Sequence, residues 1–181
     1  ILACGASVHI VDDSIKLTPS DFFGWLQREN ITIGDLPTAY AQILFNLQWP
    51  DNLKMRMLKI GGETCTRYPD KNYSFDIWNV YGPTETTIEA TYYKMHTANQ
   101  EPHKKKKFMT PSIGKILANG EIYIVDQYLK PVPPGVVGEM LIGGIGLSPG
   151  YFDREELTNT RFIPNPFSKN ATDKLYRTGD L

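Results

Sequence analysis

The sequence predicts an α/β fold: helices layered on a mainly parallel sheet over residues 1–95, followed over residues 96–181 by a β-rich, barrel-like subdomain. Three observations support this. In the first half, short β-branched or apolar runs alternate with helical periodicity, the pattern of a parallel sheet covered by helices. Two of those runs end on glycine, at Gly61 and Gly82. After about Met95 a long polar stretch intervenes, and beyond it short β-type runs recur at turn-like spacing.

Taken in order, Val8 to Val11 (VHIV) is β-branched and short, which predicts a strand. Thr18 precedes Pro19, Asp21 follows, and Phe22, Trp25 and Leu26 recur at helical spacing, so a capped amphipathic helix is expected from Pro19 to Glu29. A short strand is expected at Ile31 to Ile33, and a second helix opening at Pro37 and running through Trp49 to a stop at Pro50. The runs MRMLKI and FDIWNVYG read as strands ending on flexible turns. MHTANQEPHKKKKFMTPS reads as an exposed connection and a subdomain boundary. EIYIVD and EMLIGG, separated by the turn LKPVPPGVVG, are the β-type runs of the second half.

Composition narrows the function classes. The 181 residues carry 19 Lys and Arg against 20 Asp and Glu, so no strong field draws the chain to nucleic acid or an anionic membrane. With 41% hydrophobic and 22% charged residues, usage is that of a globular domain with a real core, which excludes whole-chain disorder. No run reaches the length of about eighteen apolar residues that a membrane-spanning helix needs. Cys4 and Cys65 stand far apart, without metal-ligand spacing, as expected for a reduced cytoplasmic protein. Both chain ends read as cut within a fold.

The stretch NVYGPTETTIEA, Asn79 to Ala90, carries the most chemistry. Gly82 allows close backbone approach to a ligand, and Pro83 stiffens the turn after a strand. Thr84 then offers a hydroxyl and Glu85 a carboxylate at the C-terminal edge of a parallel sheet, where α/β proteins place ligands. A hydroxyl for a phosphate oxygen beside a carboxylate for magnesium suits nucleotide chemistry.

Together with IGGET (Ile60 to Thr64), GEMLIGGIGLSPGYFDREELTNTRFIPNPF (Gly138 to Phe167) and the terminal LYRTGDL, this stretch resembles the adenylation domains of nonribosomal peptide synthetases. The four motifs come in that family's order and cover most of the chain, so the resemblance implies the middle of an adenylation domain, a partial core of an adenylate-forming enzyme. It implies attack of an amino-acid carboxylate on ATP to give aminoacyl-AMP and pyrophosphate. Transfer to the phosphopantetheine thiol of a peptidyl carrier protein domain follows, with a condensation domain as a further neighbour. Thr84 and Glu85 are then the catalytic pair, Thr84 at the α-phosphate and Glu85 on the Mg2+ ion. Tyr81 packs on adenine, and Asn79 with nearby backbone at Val80 and Gly82 bonds its amino group. Gly61 and Gly62 let the purine lie against the backbone. Asp180 accepts from the ribose hydroxyls, a role that also suits the two acceptor oxygens of a carboxylate facing a vicinal diol.

The resemblance further implies an acyl pocket of Gly34, Lys59, Gly61, Val80, Ile88 and Glu89. Lys59 and Glu89 in such a pocket should pair with each other or meet a polar substrate group, because burying unpaired charge is costly. The alternative is that one of them points to solvent. Departures from the family pattern are local: Glu63 to Asn79 is short where a helix is usual, Pro149 replaces an arginine and Glu155 a proline. A phosphate loop, the aspartate for the substrate amino group and the late lysine all lie outside this chain, so it is expected to act poorly, or not at all, alone.

Other signals are weaker. GGIGLSPG lacks dinucleotide-binding spacing, HKKKK reads as a solvated loop, and His9, His96 and His103 have no triad or metal partner nearby in sequence. Sequons begin at Asn30, Asn72 and Asn170 and matter only in a secreted protein. Three alternatives stay open: an acyl-CoA ligase or aryl-acid-activating relative, a non-catalytic binding remnant, and a glycosylated β-rich domain.

Overall fold

Apolar alternation in the first half builds a parallel sheet. The structure, a computed structural model, describes residues 2–69, 71, 73–96 and 110–181. The chain divides into two compact units, Ile1–Asn79 with Lys94–Pro111, and Val80–Tyr93 with Ser112–Leu181.

In the first unit a short helix α1 (Asp13–Lys16) precedes α2 (Pro19–Arg28), β1 (Ile33–Pro37), α3 (Thr38–Leu44), β2 (Met57–Gly61) and β3 (Asp76–Tyr81), whose last two residues belong to the second unit. Strand β2 pairs in parallel with β1 and with β3, and Ile60 stands opposite Asn79, so β2 and β3 end at one edge. On β1 and β2 the apolar face is Leu36, Leu58 and Ile60, all buried. Each such side chain contributes roughly 1.5 to 3 kcal/mol. Helix α2 buries Phe22, Phe23 and Leu26; of the expected stripe Phe22 and Leu26 are buried, while Trp25 is half-buried and Phe23 takes the core position. Phe23 and Trp49 pack at 4.9 Å and Trp49 and Phe75 at 5.0 Å.

In the second unit β4 (Thr91–Met95, its last two residues in the first unit) pairs antiparallel with β5 (Lys115–Ile116). Strands β6 (Gly120–Val125), β7 (Glu139–Gly144), β8 (Phe162–Pro164) and β9 (Lys174–Arg177) form a second sheet in the order β6-β7-β9-β8, antiparallel throughout. Helix α4 (Glu155–Arg161) leads into β8. Alternation along β7 gives this sheet two apolar faces. Leu141 packs with Val125 and Leu175 on one. Met140 and Ile142 pack with Ala90, Tyr81 and Ile122 on the other, which is the face that bears the site. The fold is therefore α/β with both parallel and antiparallel pairing. Of the expected barrel, the described residues show this sheet without a pairing that closes β8 onto β6.

Some local expectations are corrected. Val8 to Val11 is not a strand: it is irregular, with Val8 and Ile10 exposed, because no described strand pairs with it and β-propensity acts only through such pairing. The strand expected at Ile31 to Ile33 begins instead at Ile33. Helix α3 stops at Leu44 rather than Trp49, because Trp49 turns inward and its indole Nε1 donates to the Leu44 carbonyl at 3.0 Å, satisfying a helix-end acceptor. After Glu63, where the family usually has a helix, the described residues up to Phe75 are irregular. They are tied to α3 instead: Thr66 donates to Gln42 Oε1 and Tyr73 to the Phe45 carbonyl. The HKKKK run, His103 and the Asn72 sequon lie outside the described residues. None of the described helices is long and apolar enough to cross a membrane.

Candidate functional site

The turn after β3 is tight for reasons internal to the chain. A Cβ on Gly82 would stand 2.6 Å from the Ile88 carbonyl oxygen and from the Ala90 nitrogen, so this glycine makes room for the returning chain. The space expected for a ligand is thus taken by backbone. Thr84–Thr86 form one 3-10 turn behind Pro83, and Thr86, buried, donates to the Pro83 carbonyl at 3.0 Å. Thr87 and Ile88 both take positive φ, 61° and 73°, before Ala90 N donates to the Tyr81 carbonyl at 2.8 Å. Left-handed backbone at a β-branched residue costs about 1 to 3 kcal/mol and collects at functional turns.

A second segment stitches itself to this turn. Past β7, Ser148 N donates to the Glu85 carbonyl at 2.8 Å, and Thr87 Oγ1 donates to the Gly146 carbonyl at 2.7 Å. Tyr151 follows, and its hydroxyl donates to Glu85 Oε1. The Tyr176 ring stands behind it, joined through Phe162. Burial pulls the Glu85 carboxyl upward, but donation from Tyr151 and from its own backbone amide, with Arg161 nearby, outweighs it and holds the group below the usual carboxylate range.

The third segment presents Asp180. Beyond β9, Thr178 donates through N and Oγ1 to the Met140 carbonyl, at 3.3 and 2.7 Å, and Asp180 N donates to Thr178 Oγ1 at 2.9 Å. Gly179 takes φ 79°, and the Asp180 side chain meets Tyr81, whose hydroxyl donates to Oδ2. Burial first, and then this carboxylate, push the Tyr81 phenol well above the usual tyrosine range, so it remains a donor. Tyr81, Glu85 and Asp180 thus come together within the second unit, with Thr84 exposed on the turn between them.

Other expected residues lie as follows. In the first unit Gly61 ends β2 and Gly62 follows at φ 88°, a left-handed conformation that favours glycine. Asn79 is buried on β3. Lys59 pairs with Asp35 at 3.3 Å, its register neighbour on β1. Gly34, by contrast, turns to the other face of the strand, where an added Cβ would meet Leu58 at 3.1 Å. The structure therefore joins Lys59 to Asp35 and does not bring Gly34 beside it. In the second unit Val80 is half-buried at the end of β3, and Ile88 and Glu89 close the turn, Ile88 75% exposed.

Sequence reasoning missed Asp35, Tyr151 and Tyr176. The period-2 alternation of β1 against Lys59 would have favoured Asp35 over Gly34, and both tyrosines stand inside motifs already singled out. It also missed a partnership at His9, which contacts Ser7 Oγ at 2.9 Å and Glu29 at 3.3 Å. That trio has the residue types of a nucleophile, base and orienting acid. Ser7 and His9 are solvent-exposed on extended chain, with nothing to enclose a reacting group, so it is a surface contact.

The AMP-binding enzyme family model matches residues 1–152. Bacitracin synthase 3 of Bacillus licheniformis is 36% identical over 99% of this chain, and surfactin synthase subunit 2 of Bacillus subtilis (strain 168) 34% over 98%. The chain spans only 3% and 4% of their lengths. A four-domain nonribosomal peptide synthetase solved with AMP and glycine superposes with a TM-score of 0.73 at 30% identity, covering 95% of this chain and 12% of that one. The N-terminal subdomain of NpsA from Klebsiella oxytoca, solved with 3-hydroxybenzoyl-AMSN, gives 0.72 at 21% identity over 96% of this chain and 42% of that one, a likeness of fold. With a family model over most of its length, and the glycine-proline turn, Glu85 and Asp180 in one unit, the chain belongs to the AMP-binding enzymes.

Proposed function

We propose that this chain is part of an adenylation domain that activates an amino acid with ATP in nonribosomal peptide synthesis. Residues 1–95 and 96–181 are then two partial subdomains of that domain. The observation that carries the reading is the convergence, within one unit, of the Glu85 turn and the Asp180 arm on Tyr81. A carboxylate for a cation, an aromatic ring for a purine and a carboxylate for a diol lie there at neighbouring points.

In the proposed reaction a substrate carboxylate oxygen attacks the α-phosphorus of ATP, the bond to the β-phosphate oxygen breaks, and pyrophosphate leaves with the electron pair. The acyl carbon of the adenylate then passes to the phosphopantetheine thiol of a carrier domain, releasing AMP. Thr84 donates to an α-phosphate oxygen. Asn79, with backbone at Val80 and Gly82, reads the adenine edge beside the Tyr81 ring, while Gly61 and Gly62 let the purine approach the backbone. Asp180 keeps one oxygen on Tyr81 and offers the other to the ribose. Such chemistry rests on positioning and charge stabilisation.

Glu85 fits a magnesium ion: its carboxylate is held anionic by a hydroxyl donor on a partly exposed turn. Among the described residues no three His, Cys, Asp or Glu side chains cluster, so a cation there would take its other ligands from phosphate oxygens and water, as magnesium does. Bound there, it would neutralise phosphate charge in the transition state. For the acyl group we propose Gly34, Lys59 and Gly61 of the first unit and Val80, Ile88 and Glu89 of the second, with Asp35 as the partner of Lys59. The charged members of this set favour a polar amino-acid side chain.

The test is ATP–pyrophosphate exchange by the full-length protein with a panel of amino acids. Exchange that depends on one amino acid supports the reading. Exchange driven by an aryl or fatty acid alone would move it to the acid-ligase relatives.

A further inference from the structure

Three aromatic residues stand together behind Glu85. Tyr151 meets Phe162 edge-on at 5.5 Å, and Phe162 meets Tyr176 at 5.2 Å. Phe162 is 2% and Tyr176 6% exposed, so the rings form a packed wall. The Tyr151 hydroxyl leaves that wall to donate to Glu85 Oε1, and Tyr176 backs it through Phe162. The backbone of Tyr151 is itself fixed, because its amide donates to Thr158 Oγ1 at 2.9 Å on α4. Glu85 is fixed from the other side by the Ser148 amide on its carbonyl.

A glutamate has three side-chain torsions, and an unsupported one on a turn samples many rotamers, at a cost of up to about 2 kcal/mol when it is ordered. A carboxylate offers about four lone-pair directions, so a hydroxyl donor orients it and still leaves room for a cation. Orienting partners of this kind tune metal affinity by about 10- to 100-fold when removed.

We propose that Tyr151 is a positioning residue that pre-sets the Glu85 carboxylate for a divalent cation carried with a nucleotide. The inference rests on the reading of Glu85 as the cation ligand. Tyr151 does not touch the reacting atoms: it acts through Glu85.

The experiment compares wild type, Y151F and E85Q in the full-length protein. Free Mn2+ is measured by electron paramagnetic resonance during titration in the presence of ATP, with magnesium-dependent exchange as a second readout. Phenylalanine keeps the ring wall, and thermal melting checks that each variant is folded. The expected result is Mn2+ affinity weakened about tenfold in Y151F, with exchange largely recovered at saturating magnesium. Wild-type Mn2+ affinity in Y151F, with E85Q weakened, overturns this inference alone. Wild-type affinity in E85Q overturns the role of Glu85 and the inference with it.

Discussion

The Tyr81 hydroxyl donates to the Asp180 carboxylate, joining the last residue of β3 to one 99 positions later. This bond fixes where Asp180 points. It also leaves the aromatic face of Tyr81 uncommitted to the hydrogen bond, so ring and carboxylate can serve different parts of one nucleotide. Asp180→Ala should therefore raise the Michaelis constant for ATP more than that for the amino acid. Loss of a hydrogen bond to a charged group costs roughly 1.5 to 3 kcal/mol, which is about 10- to 150-fold. Tyr81→Phe keeps the ring and should raise it less. Equal rises for ATP and amino acid in steady-state exchange kinetics would make Asp180 structural.

Glu85→Gln keeps shape and loses charge. Exchange should fall by two or more orders of magnitude at ordinary magnesium, since an amide is a poor ligand for a hard cation. Unchanged exchange at saturating magnesium would remove Glu85 from the site.

Much of this was legible in the sequence, and for definable reasons. Strand β2 and helix α2 were legible because one buried face imposes its period directly on the residues, as at Phe22 and Leu26. The turn and the Asp180 arm were legible because their residue types are chemically particular. The apolar run at Val8 was not, since a strand exists only with a partner and the run does not encode one. Tyr151 stood inside a quoted motif without a role, because only packing shows that its hydroxyl meets a residue 66 positions away.

Lys59 and Asp35 make a testable pair. Their side chains are 26% and 69% exposed, so the ion pair should contribute less than about 1 kcal/mol to stability. Lys59→Leu or Asp35→Leu should leave the melting temperature nearly unchanged but alter which amino acid drives exchange, and the double change should favour apolar amino acids. If wild type, both single variants and the double variant share one preference, the pair does not read the substrate side chain.

Two glycines should behave differently. Gly82→Ala meets backbone at 2.6 Å on the returning chain, and overpacking of this kind costs about 1 to 3 kcal/mol or more. Gly62→Ala meets nothing within 4 Å and carries only the left-handed backbone cost, about 1 to 2 kcal/mol. Thermal melts should rank Gly82→Ala as the more damaging. The reverse order would mean that the turn relaxes easily.

The span between Tyr81 and Asp180 has a consequence for biosynthesis. At about 5 to 20 residues per second, a ribosome takes on the order of five to twenty seconds to progress from one to the other. During that interval the nascent chain already carries the Glu85 turn, while β9, Tyr176 and the Asp180 arm do not yet exist. Nucleotide can therefore not help the emerging segment fold, and strained left-handed residues at Thr87 and Ile88 must wait for their partners. A translational pause placed just before β9 would prolong the exposure of that turn, whereas one placed after Asp180 has cleared the exit tunnel would not.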